Sequence, residues 1–105
     1  MSVRPPADCE NMEQVRAEID RLDLVILDLV AERFGYVDRA WQLKSRREEA
    51  MVPWRVSQVI DRVRARALER GIPPELAEAL WRQMIGWFIQ YEEEKLSAAP
   101  PGEGG

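Results

Sequence analysis

An all-α chain of three helices, the first of them long, is what this sequence predicts, and three observations carry the expectation. Apolar residues recur in steps of three and four from Met12 onward, through Val15, Ile19, Leu22, Ile26 and Leu29, which draws one stripe along a helix. Pro53 suits the first turn of a second helix, and Gly71-Ile72-Pro73-Pro74 suits the end of that helix and the start of a third. No stretch alternates apolar and polar residues as a half-buried strand does.

The first helix is expected from about Asn11 to about Arg46. Asn11 is a natural N-cap, and Glu13 and Glu18 sit near the positive end of the helix dipole. The same steps continue the stripe through Arg33, Tyr36, Ala40 and Leu43. The stripe is therefore regular except at Arg33, where a guanidinium falls on the apolar seam. In the second helix Val56, Val59, Ile60 and Val63 form the inner face. In the third, Leu76, Leu80, Met84, Phe88 and Tyr91 make the stripe, and the helix is expected to end near Lys95. Residues 1–10 read as a flexible segment, 11–96 as one helical domain, and 97–105, rich in Ala, Pro and Gly, as a disordered tail.

Helix length bears on assembly. About 35 residues at ~1.5 Å each make a rod of ~50 Å, whereas a compact domain of this size has a radius of gyration of ~13 Å. Two shorter helices cannot cover so long a seam, so an intertwined, two-fold symmetric homodimer is expected.

Composition narrows the function. The 105 residues carry 46% hydrophobic and 32% charged side chains with a net charge of −4. That balance suits a soluble domain and disfavours nucleic acid, whose phosphates call for surplus Lys and Arg. The opening Met1-Ser2-Val3-Arg4-Pro5-Pro6 has no apolar leader run. The richest apolar run, Leu24-Val25-Ile26-Leu27, is cut by Asp28, far short of the ~20 residues of a membrane span. A single cysteine, Cys9, allows no intrachain disulfide and points to the cytoplasm. The chain has no His and no Thr, so neither a His-activated nucleophile nor an imidazole metal site is available. No metal and no cofactor are expected. The remaining groups (Arg, Lys, Gln and carboxylates) suit binding and polarising an anion without a covalent intermediate.

Arg33 and Lys44 lie eleven residues apart, close to three helical turns, so they project from nearly one face ~16 Å apart along the axis. A small anion of metabolite size fits between their long side chains. The alternative for each is a cation that snorkels to solvent or pairs with a nearby carboxylate. Arg16 stands seventeen residues before Arg33, ~25 Å away. One subunit cannot bring both to one small ligand, whereas an antiparallel partner can supply its own Arg16. Taken alone, Arg16 reads as an ordinary surface arginine.

Together these residues resemble the type II chorismate mutases. The likeness runs through Arg16-Ala17-Glu18-Ile19-Asp20-Arg21-Leu22-Asp23, Leu29-Val30-Ala31-Glu32-Arg33 and Lys44, then the loop with Pro53 and Arg55, the Gly71-Ile72-Pro73 turn and the Trp-bearing third helix. It spans about residues 8–95. Asp8-Cys9, Ile19-Asp20-Arg21, Tyr36-Val37 and Trp87 resemble the isochorismate pyruvate lyases within that family. The resemblance implies a dianionic substrate, chorismate or isochorismate, whose two carboxylates are held by Arg33 and the partner's Arg16. It implies further that Lys44 donates to the ether oxygen and an adjacent carboxylate, and that Arg55 lies near the ring.

Three departures qualify the match. The family's glutamine beside the ether oxygen falls on Glu92, which belongs either to the site or to a solvated run Glu92-Glu93-Glu94; Gln90 is nearby but points elsewhere on the helical wheel. Val52 and Val56 stand where typical mutases carry carboxylates for the ring hydroxyl, and the loop between Lys44 and Arg55 is one residue shorter. The lyases share the last two features.

Both reactions the family implies are concerted, with the ether C–O bond stretching and negative charge building on its oxygen. The protein must hold a dianion in its reactive conformation and place donors where the charge develops. Chorismate mutase is the first expectation and isochorismate pyruvate lyase the second. A catalytically weak helical dimer that binds or regulates a partner is the alternative of another class.

Overall fold

The computed structural model describes residues 3–98. Among them are three α-helices, α1 (Met12–Leu43), α2 (Pro53–Glu69) and α3 (Pro74–Ala98), with single 3-10 turns at Pro6–Asp8 and Arg47–Ala50 and no strand. None of the three helices is long and apolar enough to cross a membrane. The expected all-α class is the observed one. Ser97 and Ala98, assigned to the tail, are the last residues of α3, and the rest of that tail lies outside the described residues. Within the segment expected to be flexible, Pro6–Asp8 form a helical turn closed by Asp8 N–H on Pro5 O at 2.9 Å.

The chain divides into two units, the first ending at Tyr36 and the second beginning at Val37. In the first, Asn11 caps α1 as expected: Gln14 N–H donates to Asn11 Oδ1 at 2.9 Å, and Gln14 Oε1 accepts Glu10 N–H at 2.7 Å. This reciprocal pair satisfies donors that the helix start leaves without intrahelical partners. None of the 32 residues of α1 is buried. Met12, Ile19, Leu22, Ile26 and Leu29, the expected seam, are 45–61% exposed in the single chain.

Among the described residues, the buried apolar ones, Ala50, Ile60, Ala67, Ala77 and Phe88, all belong to the second unit. Here α1 stops at Leu43 rather than near Arg46, and the cause is local. The backbone N–H groups of Ser45 and Arg46 turn to Glu49 Oε1, at 3.3 and 3.1 Å, and the chain enters the 3-10 turn Arg47–Ala50 that packs on α3. Pro53 opens α2, where its missing N–H costs nothing. Gly71 ends that helix in the left-handed conformation, φ 73°. Ile72 N–H then reaches Ala67 O at 3.0 Å, and Gly71 N–H reaches Leu68 O at 3.2 Å, which satisfies the orphan carbonyls of the last turn.

Helices α2 and α3 pack as an antiparallel-neighbour pair joined by this short turn. Val56, Val59 and Val63 are half-buried around Ile60, as the spacing predicts. On α3 the inner face is Ala77, Trp81, Met84, Ile85, Phe88 and Glu92. Leu76 and Leu80, expected on it, are 48% and 56% exposed, because small Ala77 and the next turn's Trp81 take the inner side of the first two turns. Glu78 ties the pair together, accepting from Arg64 of α2 at 2.7 Å and Arg82 of α3 at 2.6 Å.

The Arg82 hydrogen bond, assisted by that of Arg64, holds the Glu78 carboxyl below its ordinary range. A lowered carboxylate stabilises the fold above the unfolded value of ~4.3, and that contribution is lost as pH falls through the folded value. The melting temperature is therefore expected to stay level from about pH 7 to pH 5 and to drop below about pH 4. In Glu78→Gln the acid-dependent drop should be smaller; calorimetric scans across pH check this, and an undiminished drop would contradict it.

Candidate active site

The last turn of α1 and the last third of α3 carry the chemistry of the second unit. Steps of three and four on α1 bring Val37, Asp38, Trp41 and Lys44 to one half-buried face. Leu43, on the stripe expected to meet a second copy, is 70% exposed in the single chain. Lys44 follows the last helical residue, and its backbone N–H bonds Ala40 O and Trp41 O, both at 3.2 Å. A cation placed there meets the negative end of the helix dipole.

Lys44 Nζ donates to Glu92 Oε2 at 2.6 Å. Glu92 is the one buried charged residue among those described, 6% exposed. It continues the inner face of α3 one turn beyond Phe88, so the reading of Glu92 as part of a solvated run does not describe its position. Glu94 and Gln90 do face solvent. Gln90 lines a separate open groove of about 600 Å³ with Arg47, Gly86, Ile89, Glu93, Glu94 and Ser97. An ammonium has three N–H donors, and the Glu92 contact uses one.

A second polar contact lies beside the first. Asp38 Oδ1 accepts Tyr91 Oη at 2.6 Å and Trp41 Nε1 at 2.7 Å. The hydrogen bonds from Tyr91 and then Trp41 hold the Asp38 carboxyl below its ordinary range. The same Asp38 contact, with burial, raises the Tyr91 hydroxyl. The Tyr91 ring stacks on Trp87 with centroids 5.7 Å apart and planes at 11°, and Lys95 Nζ stands 5.5 Å from its centroid. Periodicity alone places Tyr91 on an apolar stripe and gives Asp38 no role. The available signal was the spacing Asp38, Trp41, Lys44 along one helix face, with Tyr91 adjoining Glu92.

Arg55 sits in the first turn of α2, exposed, with Nη1 donating to Gln58 Oε1 at 2.6 Å. Val52 and Val56, in the positions of the expected ring-hydroxyl carboxylates, are half-buried. The remaining two cations belong to the first unit. There Arg16 is exposed and Arg33 half-buried, with its Nη1 shielded from solvent. The structure thus brings Lys44 and Glu92 together and leaves Arg55 on its own helix.

The family model for type II chorismate mutase matches residues 15–93. An isochorismate pyruvate lyase of Pseudomonas aeruginosa is 31% identical over 87 residues, covering 83% of this chain and 86% of the relative. A family match over three quarters of the chain, an all-α fold of three helices and a relative aligned along most of its own length agree. The chain belongs to the type II chorismate mutase family.

Proposed function

We propose that this chain is a pericyclic enzyme that converts chorismate to prephenate. The observation that carries the reading is the meeting of Lys44 and Glu92 at 2.6 Å, forty-eight residues apart in sequence. They are the two positions the family resemblance assigns to the ether oxygen, and no helical periodicity requires them to touch. The second reading, isochorismate to salicylate and pyruvate, is supported by the lyase relative and by Val52 and Val56. Both reactions use the same machinery. Lys44 donates to the oxygen as the C–O bond stretches, and fixed donors aimed at developing charge lower the barrier without reorganising. Arg33 and Arg16 hold the two carboxylates and keep the substrate folded on itself, and Arg55 lies near the ring. A free thiol at Cys9 suits the cytoplasmic setting that goes with this reading.

Incubating the pure protein with chorismate and, separately, with isochorismate decides between the readings. Prephenate from chorismate is expected. Salicylate from isochorismate at much higher kcat/KM would install the lyase reading in its place. No product from either would leave a binding or regulatory module.

The apolar seam of α1, exposed along its length in the single chain, is covered in this proposal by a second copy. Each site then combines Arg33, Lys44, Arg55 and Glu92 of one subunit with Arg16 of the other. Arg33→Ala and Arg16→Ala are each expected to lose nearly all turnover with unchanged helicity. Mixed under conditions of subunit exchange, they should regain part of it, because one site of each heterodimer then holds both arginines. Failure to regain activity despite demonstrated exchange would contradict a shared site.

Glu92 stands where the family resemblance places a glutamine beside the ether oxygen. A carboxylate there occupies Lys44 and faces the developing negative charge with no proton to donate. Glu92→Gln supplies an amide donor and releases Lys44, and should raise kcat at pH 7 at least ~10-fold, in keeping with the usual worth of such a donor. An unchanged or lowered kcat in Glu92→Gln would contradict this role.

A further inference from the structure

The end of α1 meets α3 through two contacts of unlike stiffness. Lys44 reaches Glu92 on a flexible four-carbon stem, so its ammonium can follow the carboxylate over a range of helix positions. Taken alone, that ion pair does not fix α1. Asp38 is short, and it accepts both Tyr91 Oη at 2.6 Å and Trp41 Nε1 at 2.7 Å on a single oxygen. On the other side, the Tyr91 ring is held against Trp87 at 5.7 Å between centroids, and Trp87 meets Phe88 edge to face at 5.3 Å. The hydroxyl is therefore a donor in a set place.

The residues of the two contacts also interleave. Tyr91 precedes Glu92 directly, and Trp41 O accepts the Lys44 N–H at 3.2 Å. Whatever seats Trp41 and Tyr91 also seats the Cα atoms from which Lys44 and Glu92 extend.

We propose that Asp38 and Tyr91 are positioning residues: their hydrogen bond locks the last turn of α1 onto α3 and sets where Lys44 and Glu92 present their charged ends. This inference rests on the reading of Lys44 and Glu92 as the groups at the ether oxygen. The pair acts through those two residues and leaves the arginine clamps alone, so its loss should act on kcat more than on KM. Misplacement of a reacting group by about 1 Å can cost up to ~100-fold.

The chain contains two lysines, Lys44 and Lys95, which gives a direct readout. Uniformly labelled lysine yields two ε-methylene NMR signals, assigned by Lys95→Arg. Tyr91→Phe keeps the ring and removes only the hydroxyl. Its kcat should fall at least ~10-fold with KM changed less than ~3-fold, and the Lys44 signal should move toward that of solvated lysine. Asp38→Ala should do the same, and Asp38→Asn, which keeps an acceptor oxygen for both donors, should recover most of the loss. Adding Tyr91→Phe to Asp38→Ala should cost nothing further, as expected of two ends of one interaction.

Tyr91→Phe with wild-type kcat and an unmoved Lys44 signal, or with a lowered melting temperature as its sole effect, overturns the proposal. If the wild type turns over neither substrate, the catalytic reading fails and the Lys44 signal alone decides. Movement in Tyr91→Phe then supports the lock, and an unchanged signal overturns it.

Discussion

A glutamate withdrawn from water and the half-buried lysine that meets it at 2.6 Å join the end of α1 to α3. Removing two charges from solvent is costly, and their attraction repays the cost only when the geometry is held by its surroundings. The surroundings do hold it. Lys44 stands at the negative end of α1, where the helix dipole favours a cation. Immediately after it, Glu49 collects the N–H groups of Ser45 and Arg46 and the Ser45 hydroxyl on one oxygen, the last at 3.1 Å. These bonds, those of Ser45 foremost, hold the Glu49 carboxyl below its ordinary range, and they turn the chain back toward α3. From the other side, the Tyr91–Asp38 contact keeps the Glu92 turn against the end of α1.

Much of the fold was legible because the signals are local. Asn11 caps, Pro53 starts and Gly71 stops a helix through the chemistry of one or two residues. The faces were harder. Helix α3 carries two apolar rows, Leu76-Leu80-Trp87 and Ala77-Trp81-Phe88, and hydropathy ranks the row of larger aliphatics first. The structure buries the row that contains the small residue, since close approach to α2 needs Ala67 and Ala77 at the contact. Tyr36 and Leu43, on the α1 stripe expected to meet a second copy, are 75% and 70% exposed in the single chain. A sequence does not say which apolar face serves its own chain and which serves another.

The site was legible in part for a related reason. Arg33 shows as a cation on an apolar seam, and Lys44 as its neighbour in phase on the same helix. Glu92 shows as an acid in phase with Phe88. Asp38 and Tyr91, by contrast, are an unremarked acid and a stripe residue until the fold pairs them across fifty-three positions. Polar contacts between distant segments leave no periodic trace. The unburied seam of α1 and the empty complement of His then bear on one another. A chain without a His-activated nucleophile suits catalysis that holds and polarises its substrate, and in the proposed function the arginines that do the holding are gathered by a second copy lying on that seam.

In the proposed function the substrate is bound at the Lys44–Glu92 pair. Lysine-labelled protein, titrated with chorismate at low temperature where turnover is slow, tests it most directly. The account predicts a saturable shift of the Lys44 ε-methylene signal, with Lys95 unmoved, as the ammonium turns from Glu92 toward the substrate. A shift at Lys95 alone, or saturation of binding with the Lys44 signal in place, would contradict it.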